Sequence, residues 1–345
     1  MQADNARRTS TTPAHLVEAG LVPPEQAAAL EEVVQRYALS VTPAMRDLID
    51  PADPADPIAR QFLPSPAELN SLPEELADPI GDGARSPIKG IVHRYPDRVL
   101  LMPTVACAVY CRFCFRREVV GGPGGLTVDE LDAALGYIRD TPAVWEVILT
   151  GGDPLVLSPR RLADIVGALS AMSHVQVIRI HSRVPVVAPE RVTDDLLTAL
   201  ATDKALWLSV HANHPREFTA EARAALARLA HAGIALIGQS VLLKGVNDTP
   251  DTLEALMRAF VATRVRPYYL HHPDLAPGTG HFRPAITEGQ ELVAHLRGRV
   301  SGLAQPTYVL DIPGGHGKSP IGPVYLDGDT VADWRGTRHD LRHDR

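Results

Sequence analysis

The sequence predicts an α/β fold in which parallel strands alternate with amphipathic helices. Six short apolar runs have the length of buried strands: 99–104, 146–150, 175–180, 205–210, 235–243 and 265–270. Six stretches carry helical spacing of apolar residues, near 127–140, 158–172, 193–203, 217–232, 250–263 and 287–299. Repeated strand–helix units require parallel strands with right-handed crossovers, so the sequence predicts a partial six-unit barrel or an open doubly wound sheet.

The chain before the first of these strands lacks the alternation of strands and helices. Residues 13–50 carry helical apolar spacing, whereas prolines crowd residues 51–98 and indicate an ordered wrapping segment or a linker. We therefore expect an N-terminal helical and proline-rich segment (1–98), a strand–helix core (99–285) and a C-terminal segment (286–345).

Composition indicates a globular protein that acts on small molecules. The 345 residues are 45% hydrophobic and 22% charged, and the net charge of −7 argues against nucleic-acid binding. No run of 18 apolar residues suggests a membrane span, and no signal peptide is recognisable, so we expect a cytoplasmic protein. The three cysteines lie within eight residues, which favours metal ligands over disulfides.

Polar residues follow the predicted strands, at the edge where barrel enzymes carry their chemistry. The first such loop contains Cys107, Cys111 and Cys114 in a CxxxCxxC pattern. Three thiolates can bind three irons of a cubane cluster and leave the fourth iron open. The alternatives are a zinc site completed by a histidine and a redox dithiol with a spare cysteine. The sequence favours the cluster, because no second Cys or His pair with zinc-site spacing follows.

Two glycine-rich turns are further candidate sites. Gly151-Gly152-Asp153 follows a strand, and its two glycines would let the backbone approach a ligand closely. The turn PGGHGKSP contains Lys318 but is not a phosphate loop, because Ile312 stands where that motif requires glycine. Lys318 could be a solvated turn residue, or it could bind an aldehyde cofactor whose phosphate would need arginines. Arg94 and Arg98 precede the first predicted core strand.

Taken together, these motifs resemble the lysine 2,3-aminomutase family of radical S-adenosylmethionine (SAM) enzymes that use pyridoxal phosphate. The likeness runs from about residue 42 to about residue 325 and includes HRYPDRVLL, CAVYCRFCFRR, TGGDPL, SRVPVV, GQSVLLKGVND and YVLDIPGGHGK. The resemblance implies a partial (βα)6 TIM-like barrel of the radical SAM type with an N-terminal helical segment. It implies three cofactors: a [4Fe-4S] cluster, SAM and pyridoxal phosphate.

The resemblance also assigns roles to individual residues. Cys107, Cys111 and Cys114 would hold the cluster, and Lys318 would be the catalytic lysine that bears pyridoxal phosphate. Residues expected at the cofactors are Arg94 and Arg98 at the pyridoxal phosphate group, and Gly151, Gly152, Asp153, His211 and Gln239 at SAM. In the substrate site, Arg116 would pair with the α-carboxylate, and Asp274 and Asp311 would bind the distal ammonium.

The implied activity is that of an isomerase, an intramolecular aminotransferase (EC 5.4.3.-) that converts L-lysine to β-lysine. The partners would be this substrate and an electron donor such as flavodoxin or ferredoxin, and a homo-oligomer is left open. The chain ends without the zinc-binding cysteines of long family members, so we expect a short form without their zinc-linked tetramer. Three alternatives remain: an aminomutase for another amino acid such as arginine, β-lysine supply for elongation factor P modification, and a non-enzymatic metal or iron-sulfur sensor.

Overall fold

The central sheet has nine strands, which lie side by side in the order in which they occur in the sequence. The computed structural model describes residues 9–342. The strands are β1 (Ile91–Tyr95), β2 (Arg98–Thr104), β3 (Glu146–Gly151), β4 (Val177–Ser182), β5 (Ala205–His211), β6 (Ala235–Val241), β7 (Arg266–His271), β8 (Thr307–Ile312) and β9 (Gly317–Pro320). Strands β2 to β8 are parallel, whereas β1 and β9 are antiparallel edge strands.

The two edges of this sheet touch. The backbone N–H of Lys318 in β9 donates to the hydroxyl of Tyr95 in β1 over 2.9 Å. Arg94 in β1 lies 3.6 Å from the carboxylate of Asp311 in β8. A sheet in sequence order whose edges meet is curled into a barrel, whereas a doubly wound sheet reverses its strand order at a switch point. The partial TIM-like barrel is therefore confirmed, and the doubly wound alternative is wrong.

The six strands predicted from the apolar runs are present as β2 to β7, but the predicted count was too low. The sheet contains three more strands, β1, β8 and β9. Strand β1 lies at the end of the proline-rich segment, where an edge position tolerates nearby prolines. The apolar part of β8 is only the short run TYVL, and β9 (GKSP) carries no apolar pattern. Neither strand therefore has the period-2 signal that identifies a strand from sequence.

The helices lie between and before the strands: α1 (Pro13–Glu18), α2 (Ala27–Arg36), α3 (Pro43–Arg46), α4 (Pro57–Phe62), α5 (Val128–Arg139), α6 (Pro159–Ser170), α7 (Val184–Val187), α8 (Asp194–Ala199), α9 (Ala220–His231), α10 (Pro250–Ala262) and α11 (Ile286–Leu296). Helices α5, α6, α8, α9 and α10 each follow a serine or threonine whose side chain accepts a backbone N–H of the first turn. These caps explain why the predicted helix starts were close to the observed ones.

The barrel core forms where apolar helix faces cover the sheet. In α6, Leu162, Ile165, Val166 and Leu169 are buried at the spacing of one helix face. They belong to the same buried cluster as Val147 and other strand residues, so helix and sheet share one core. None of the helices within residues 9–342 is both long and apolar enough to cross a membrane.

The N-terminal segment packs against the barrel. Helices α1 to α3 account for the helical pattern predicted over 13–50. Within the proline-rich part, the fully buried Glu68 forms ion pairs with Arg112 and Arg117, which both lie in the loop after β2. These contacts favour a wrapping segment over a linker, and the division of the chain at residues 98 and 285 stays a prediction. At the other end, β10 (Leu326–Asp327), β11 (Thr330–Ala332) and β12 (Arg338–Asp340) form a small antiparallel sheet.

Candidate active site

The three cysteines share one partly buried loop after β2. All three are free thiols, and the N–H of Cys114 donates to the carbonyl of Cys111 over 3.1 Å. Burial raises the pKa of Cys107 well above its usual value, and Asp153 and the other two cysteines raise it further. Burial and Cys111 likewise raise the pKa of Cys114 to about 11. Three thiolates so close together repel one another, so this loop is suited to a cationic centre that neutralises them.

The grouping of the thiols fits a cluster better than a single zinc ion. Within residues 9–342, no three His, Cys, Asp or Glu side chains are grouped closely enough to hold one metal ion. Zinc needs ligands that converge to about 2.0–2.3 Å from one point. A cubane cluster takes one thiolate on each of three irons, so its ligands stand farther apart. The donor set in this loop therefore fits the cluster and leaves one iron without a protein thiolate.

Glycines at the end of β3 let the cysteine loop lie directly against the sheet. Gly152 donates its N–H to the carbonyl of Thr104 over 2.7 Å, and a Cβ at Gly152 would stand 2.2 Å from the carbonyl oxygen of Ala106. Gly151 has a φ of +108° and would likewise clash with Thr104. The sequence predicted that a ligand makes this close approach. In the structure the backbone at the start of the cysteine loop fills the space above Gly152, and Met102 and Thr104 of β2 fill the space above Gly151.

Asp153 is turned towards the end of β4. One carboxylate oxygen accepts from the N–H of Leu155 over 3.0 Å. The other accepts from the Ser182 hydroxyl at 3.0 Å and from the N–H groups of Arg183 and Val184 at 2.7 and 3.2 Å. Both oxygens thus have partners within the protein. A direct contact of Asp153 with SAM stays a prediction.

His211 and Gln239 are neighbours at the carboxyl ends of β5 and β6. They are paired in the sheet register, and the ring of His211 packs edge-on against Phe113 in the cysteine loop, with centroids 5.8 Å apart. Burial and the nearby Arg183 hold the pKa of His211 well below its usual value, so its imidazole is neutral at pH 7. Both residues therefore lie on the cysteine side of the barrel mouth, as their predicted role at SAM requires.

Lys318 lies in β9, across the barrel mouth from the cysteine loop. Hydrogen bonds of its backbone N–H and of its side-chain amine hold it in place. Its Nζ donates to both oxygens of Asp311 at 2.7 and 2.8 Å. The turn before it, which contains Gly314, Gly315 and Gly317 at positive φ, brings β9 back beside β8. A Cβ at Gly317 would stand 2.6 Å from the Tyr95 hydroxyl, which accepts the Lys318 N–H. Lys318 is thus fixed in a barrel strand and is not a loose turn residue.

One of the two predicted phosphate-binding arginines lies close to this lysine. Arg94 donates to the carbonyl of Ile80 over 2.7 Å and lies 3.6 Å from Asp311, which binds the Lys318 amine. Arg98 stacks its guanidinium 3.8 Å from the centre of the Tyr95 ring and pairs with Asp97 at 2.6 Å, so its role at the phosphate stays a prediction. A reactive amine with a guanidinium group close by is the combination that pyridoxal phosphate needs for its aldehyde and its phosphate. The residues present therefore fit this cofactor.

The two aspartates of the predicted ammonium site interact electrostatically, and their pKa values are shifted in opposite directions. Burial and the nearby charge of Asp311 raise the pKa of Asp274 to about 7. Burial also raises the pKa of Asp311, but His271 and the Lys318 ammonium outweigh it and hold that pKa well below its usual range. Asp311 is therefore charged at neutral pH, whereas the pKa of Asp274 lies close to neutral pH.

Asp82, which was not predicted from the sequence, links two of the predicted arginines. One of its oxygens accepts from Nε and Nη2 of Arg116 at 2.9 and 2.8 Å, and the other accepts from Arg94 at 3.0 Å. Arg116 also reaches Thr150 at the end of β3, over 3.4 Å. Asp82 lies in the sequence GDG of the proline-rich segment, and no motif there marks it as a site residue. The structure thus joins the predicted phosphate and carboxylate sites through one shared anion.

Two further histidines were missed, and they connect the lysine side with the cysteine side. His271 lies 3.7 Å from Asp311, and burial lowers the pKa of His271; when protonated, it also lowers the pKa of His211. His181 has a buried Nε2 without a hydrogen-bond partner. Burial lowers its pKa far below the usual value, and Arg179, Lys318, His271 and Arg116 lower it further. Arg116, two residues after Cys114, is joined through Asp82 and Arg94 to Asp311 and Lys318, so the cysteine loop and Lys318 lie at the same end of the barrel.

Comparison with known proteins defines the class first. The sequence model of the radical SAM superfamily matches residues 101–259, which include the cysteine loop and strands β3 to β6. The protein is a radical SAM enzyme. A second family model, described as lysine-2,3-aminomutase, matches residues 293–331 and therefore covers Asp311 and Lys318.

Related proteins then define the family. The chain is 43% identical to L-lysine 2,3-aminomutase of Clostridium subterminale, over 88% of this chain and 73% of that protein. It is 42% identical to the enzyme of the same name from Acetoanaerobium sticklandii, with the same coverage, and 36% identical to glutamate 2,3-aminomutase of Clostridioides difficile, over 86% of this chain and 70% of that protein. The chain belongs to the lysine 2,3-aminomutase family. The cofactors of this family are a [4Fe-4S] cluster, SAM and pyridoxal phosphate.

Proposed function

We propose that this protein converts L-lysine to β-lysine. The observation that carries the proposal is a pair of aspartates, the buried Asp311, which binds the amine of Lys318, and the half-buried Asp274, which interacts electrostatically with both. A buried carboxylate is costly unless a cation stands next to it. The side chain of lysine ends in an ammonium group and would supply that cation, whereas a glutamate side chain would bring a third carboxylate to the same place.

The contact between Lys318 and Asp311 supports this assignment. The carboxylate of Asp311 already binds a primary ammonium at 2.7 and 2.8 Å, so its surroundings accommodate this group. When Lys318 bears pyridoxal phosphate, its nitrogen is no longer a free ammonium. Asp311 then loses its hydrogen-bonded amine and keeps only the more distant Arg94 and His271, at 3.6 and 3.7 Å, so the distal ammonium of the substrate can take the place of the amine.

The reaction exchanges an amino group and a hydrogen between the adjacent carbons C2 and C3. When bound, the cluster and SAM supply a carbon radical that takes hydrogen from an unactivated carbon, and pyridoxal phosphate supplies the carbonyl that carries the migrating nitrogen. Arg116 would hold the α-carboxylate in its planar fork, while Asp274 and Asp311 hold the far end of the chain. With both ends fixed, C3 is presented to the cysteine side of the cavity.

The remaining residues would hold the cofactors. Cys107, Cys111 and Cys114 bind three irons, Lys318 binds the aldehyde, and Arg94 and Arg98 neutralise the phosphate. The neutral His211 and Gln239 contact SAM. One electron must enter from outside for each activation, so we propose a small one-electron carrier of the flavodoxin or ferredoxin type as the physiological partner.

An anaerobic assay with three substrates tests the proposal. The protein is reconstituted with iron, sulfide and pyridoxal phosphate, supplied with SAM and dithionite, and given L-lysine, L-arginine or L-glutamate. We expect β-lysine to accumulate, with little conversion of arginine and none of glutamate. Faster conversion of arginine or glutamate would overturn the substrate assignment, and a fully loaded protein that converts none of the three would overturn the aminomutase activity.

Borohydride reduction followed by peptide mass spectrometry confirms that the assayed protein is loaded. A pyridoxyl adduct on Lys318 is expected, and Lys318→Ala should lack both the adduct and the activity. The adduct also separates the aminomutase from the alternative of an iron-sulfur sensor, because a sensor has no use for pyridoxal phosphate.

A further inference from the structure

Arg183, which no step above uses, makes a direct contact with one of the cluster cysteines. It follows β4 and is buried, and its Nη1 donates to the sulfur of Cys111 over 2.9 Å. At this N···S distance the guanidinium is in direct contact with the sulfur. The contact comes from a different strand than the cysteine loop, so it depends on the folded barrel.

The guanidinium of Arg183 is held from several sides. Its Nη2 donates to Glu217 at 2.8 Å and to Gln61 at 2.6 Å. The rings of Phe62 and Phe113 lie 4.5 and 5.5 Å from its central carbon. Glu217 is fully buried and balances the positive charge. These contacts leave the guanidinium little freedom to turn away from the sulfur.

The backbone of Arg183 is fixed by Asp153. The Asp153 carboxylate accepts from the N–H groups of Arg183 and Val184, at 2.7 and 3.2 Å. Asp153 in turn bonds through its own N–H to the carbonyl of Ala106, next to Cys107, at 2.8 Å. A continuous chain of contacts therefore runs from the cysteine loop through the Gly-Gly-Asp turn to Arg183 and back to Cys111. The buried Asp153 thus holds the backbone of Arg183 in place relative to the cysteine loop.

We propose that Arg183 is a positioning residue that makes the cluster easier to reduce. Reduction from the 2+ to the 1+ state adds one electron, supplied by the external one-electron donor, and part of the added charge resides on the thiolate sulfurs. A hydrogen bond and a positive charge at Cys111 stabilise the reduced state more than the oxidised one, so they raise the reduction potential. The inference rests on the proposed function only in requiring that the cluster is bound.

The test is a potentiometric titration of the reconstituted cluster, followed by its EPR signal. The informative protein is the double variant Arg183→Gln/Glu217→Gln. It removes one positive and one negative charge, so its net charge equals that of the wild type, and it leaves no unpaired buried carboxylate. At a fixed ambient potential, we expect the ratio of reduced to oxidised cluster to fall about tenfold, which corresponds to about 59 mV for a one-electron couple.

Two single variants serve as controls. Glu217→Gln keeps the contact of Arg183 with the sulfur, so it must not lower the reduced fraction. Arg191→Gln removes a positive charge from the same segment, where Arg191 is exposed and donates to the carbonyls of Leu155 and Val156. Its titration should coincide with that of the wild type.

The outcomes separate the two proposals. If the double variant binds iron as the wild type does and titrates at the same potential, the role of Arg183 is overturned while the proposed function stands. If the wild type itself forms no cluster that dithionite reduces, the proposed function fails. A double variant that loses iron is replaced by the single variant Arg183→Gln, in which Glu217 keeps the N–H groups of Asn213 and His214 as partners. Wild-type potential in that loaded variant would overturn the proposal.

Discussion

Replacing Asp311 by asparagine should impair lysine turnover more than any other single change at the ammonium site. The Asp311 side chain is 4% exposed, and in the ligand-free protein it contacts Lys318, Arg94 and His271. Removing one partner of a buried ion pair costs about 3–5 kcal/mol, because the remaining charge stays buried without compensation. Each factor of ten in kcat/KM corresponds to roughly 1.4 kcal/mol, so kcat/KM for lysine should fall by between about 10²-fold and about 4 × 10³-fold.

The measurement is the steady-state rate of β-lysine formation under anaerobic conditions, at several lysine concentrations. Because Asp311 also contacts Lys318, the pyridoxal phosphate content of each preparation is measured first by borohydride reduction, and rates are expressed per loaded site. Asp248→Asn is a suitable control, since Asp248 caps a loop through the N–H of Gly245 and does not contact the cavity residues described above. Wild-type kinetics in fully loaded Asp311→Asn would refute the assignment of Asp311 to the ammonium.

Three further predictions follow from the same cavity. Because the pKa of Asp274 is about 7 and only its charged form attracts an ammonium, kcat/KM for lysine should fall as the pH drops below about 7, and pH profiles of Asp274→Asn should lack this limb. Asp82→Asn removes the carboxylate that Arg94 and Arg116 share. Because hydrogen bonds to a charged group contribute roughly 1.5 kcal/mol, we expect KM for lysine to rise by about 10-fold in Michaelis–Menten measurements. An unchanged KM would contradict this role of Asp82. Gly152→Ala forces a Cβ against Ala106 and should lower both iron content and melting temperature, whereas Gly136→Ala, with free space around its Cβ position, should lower neither.

Local sequence signals predicted most of the fold and one part of the site. Strands β2 to β7 have continuous apolar runs, and the core helices have capping residues, so both could be read from short windows. The cysteine spacing and the glycine turn before Lys318 are equally local. Strand β9 has no such signal, because its place in the sheet depends on pairing with β8 and on the fit of Gly317 against Tyr95.

Contacts between distant segments could not be predicted from the pattern. Asp82 binds Arg94 and Arg116 only because the proline-rich segment wraps over the barrel, and nothing near residue 82 indicates that. The Gly-Gly-Asp turn was predicted as a place where a ligand approaches closely, and that stays a prediction; what approaches Gly152 in the structure is the cysteine loop. Whether a glycine makes room for a ligand or for a neighbouring loop depends on the tertiary fold.

Radical transfer in this protein requires that the cysteine loop and Lys318 serve one cavity, in which a radical generated at the cluster reaches lysine bound to the pyridoxal phosphate beside Lys318. The most direct measurement is the fate of hydrogen from C3 of the substrate. Lysine deuterated at C3 is given to the reconstituted protein with SAM and dithionite, and 5′-deoxyadenosine is analysed by mass spectrometry. We expect deuterium in 5′-deoxyadenosine, and none with Lys318→Ala. Formation of 5′-deoxyadenosine without deuterium in the fully loaded wild type would contradict a shared cavity.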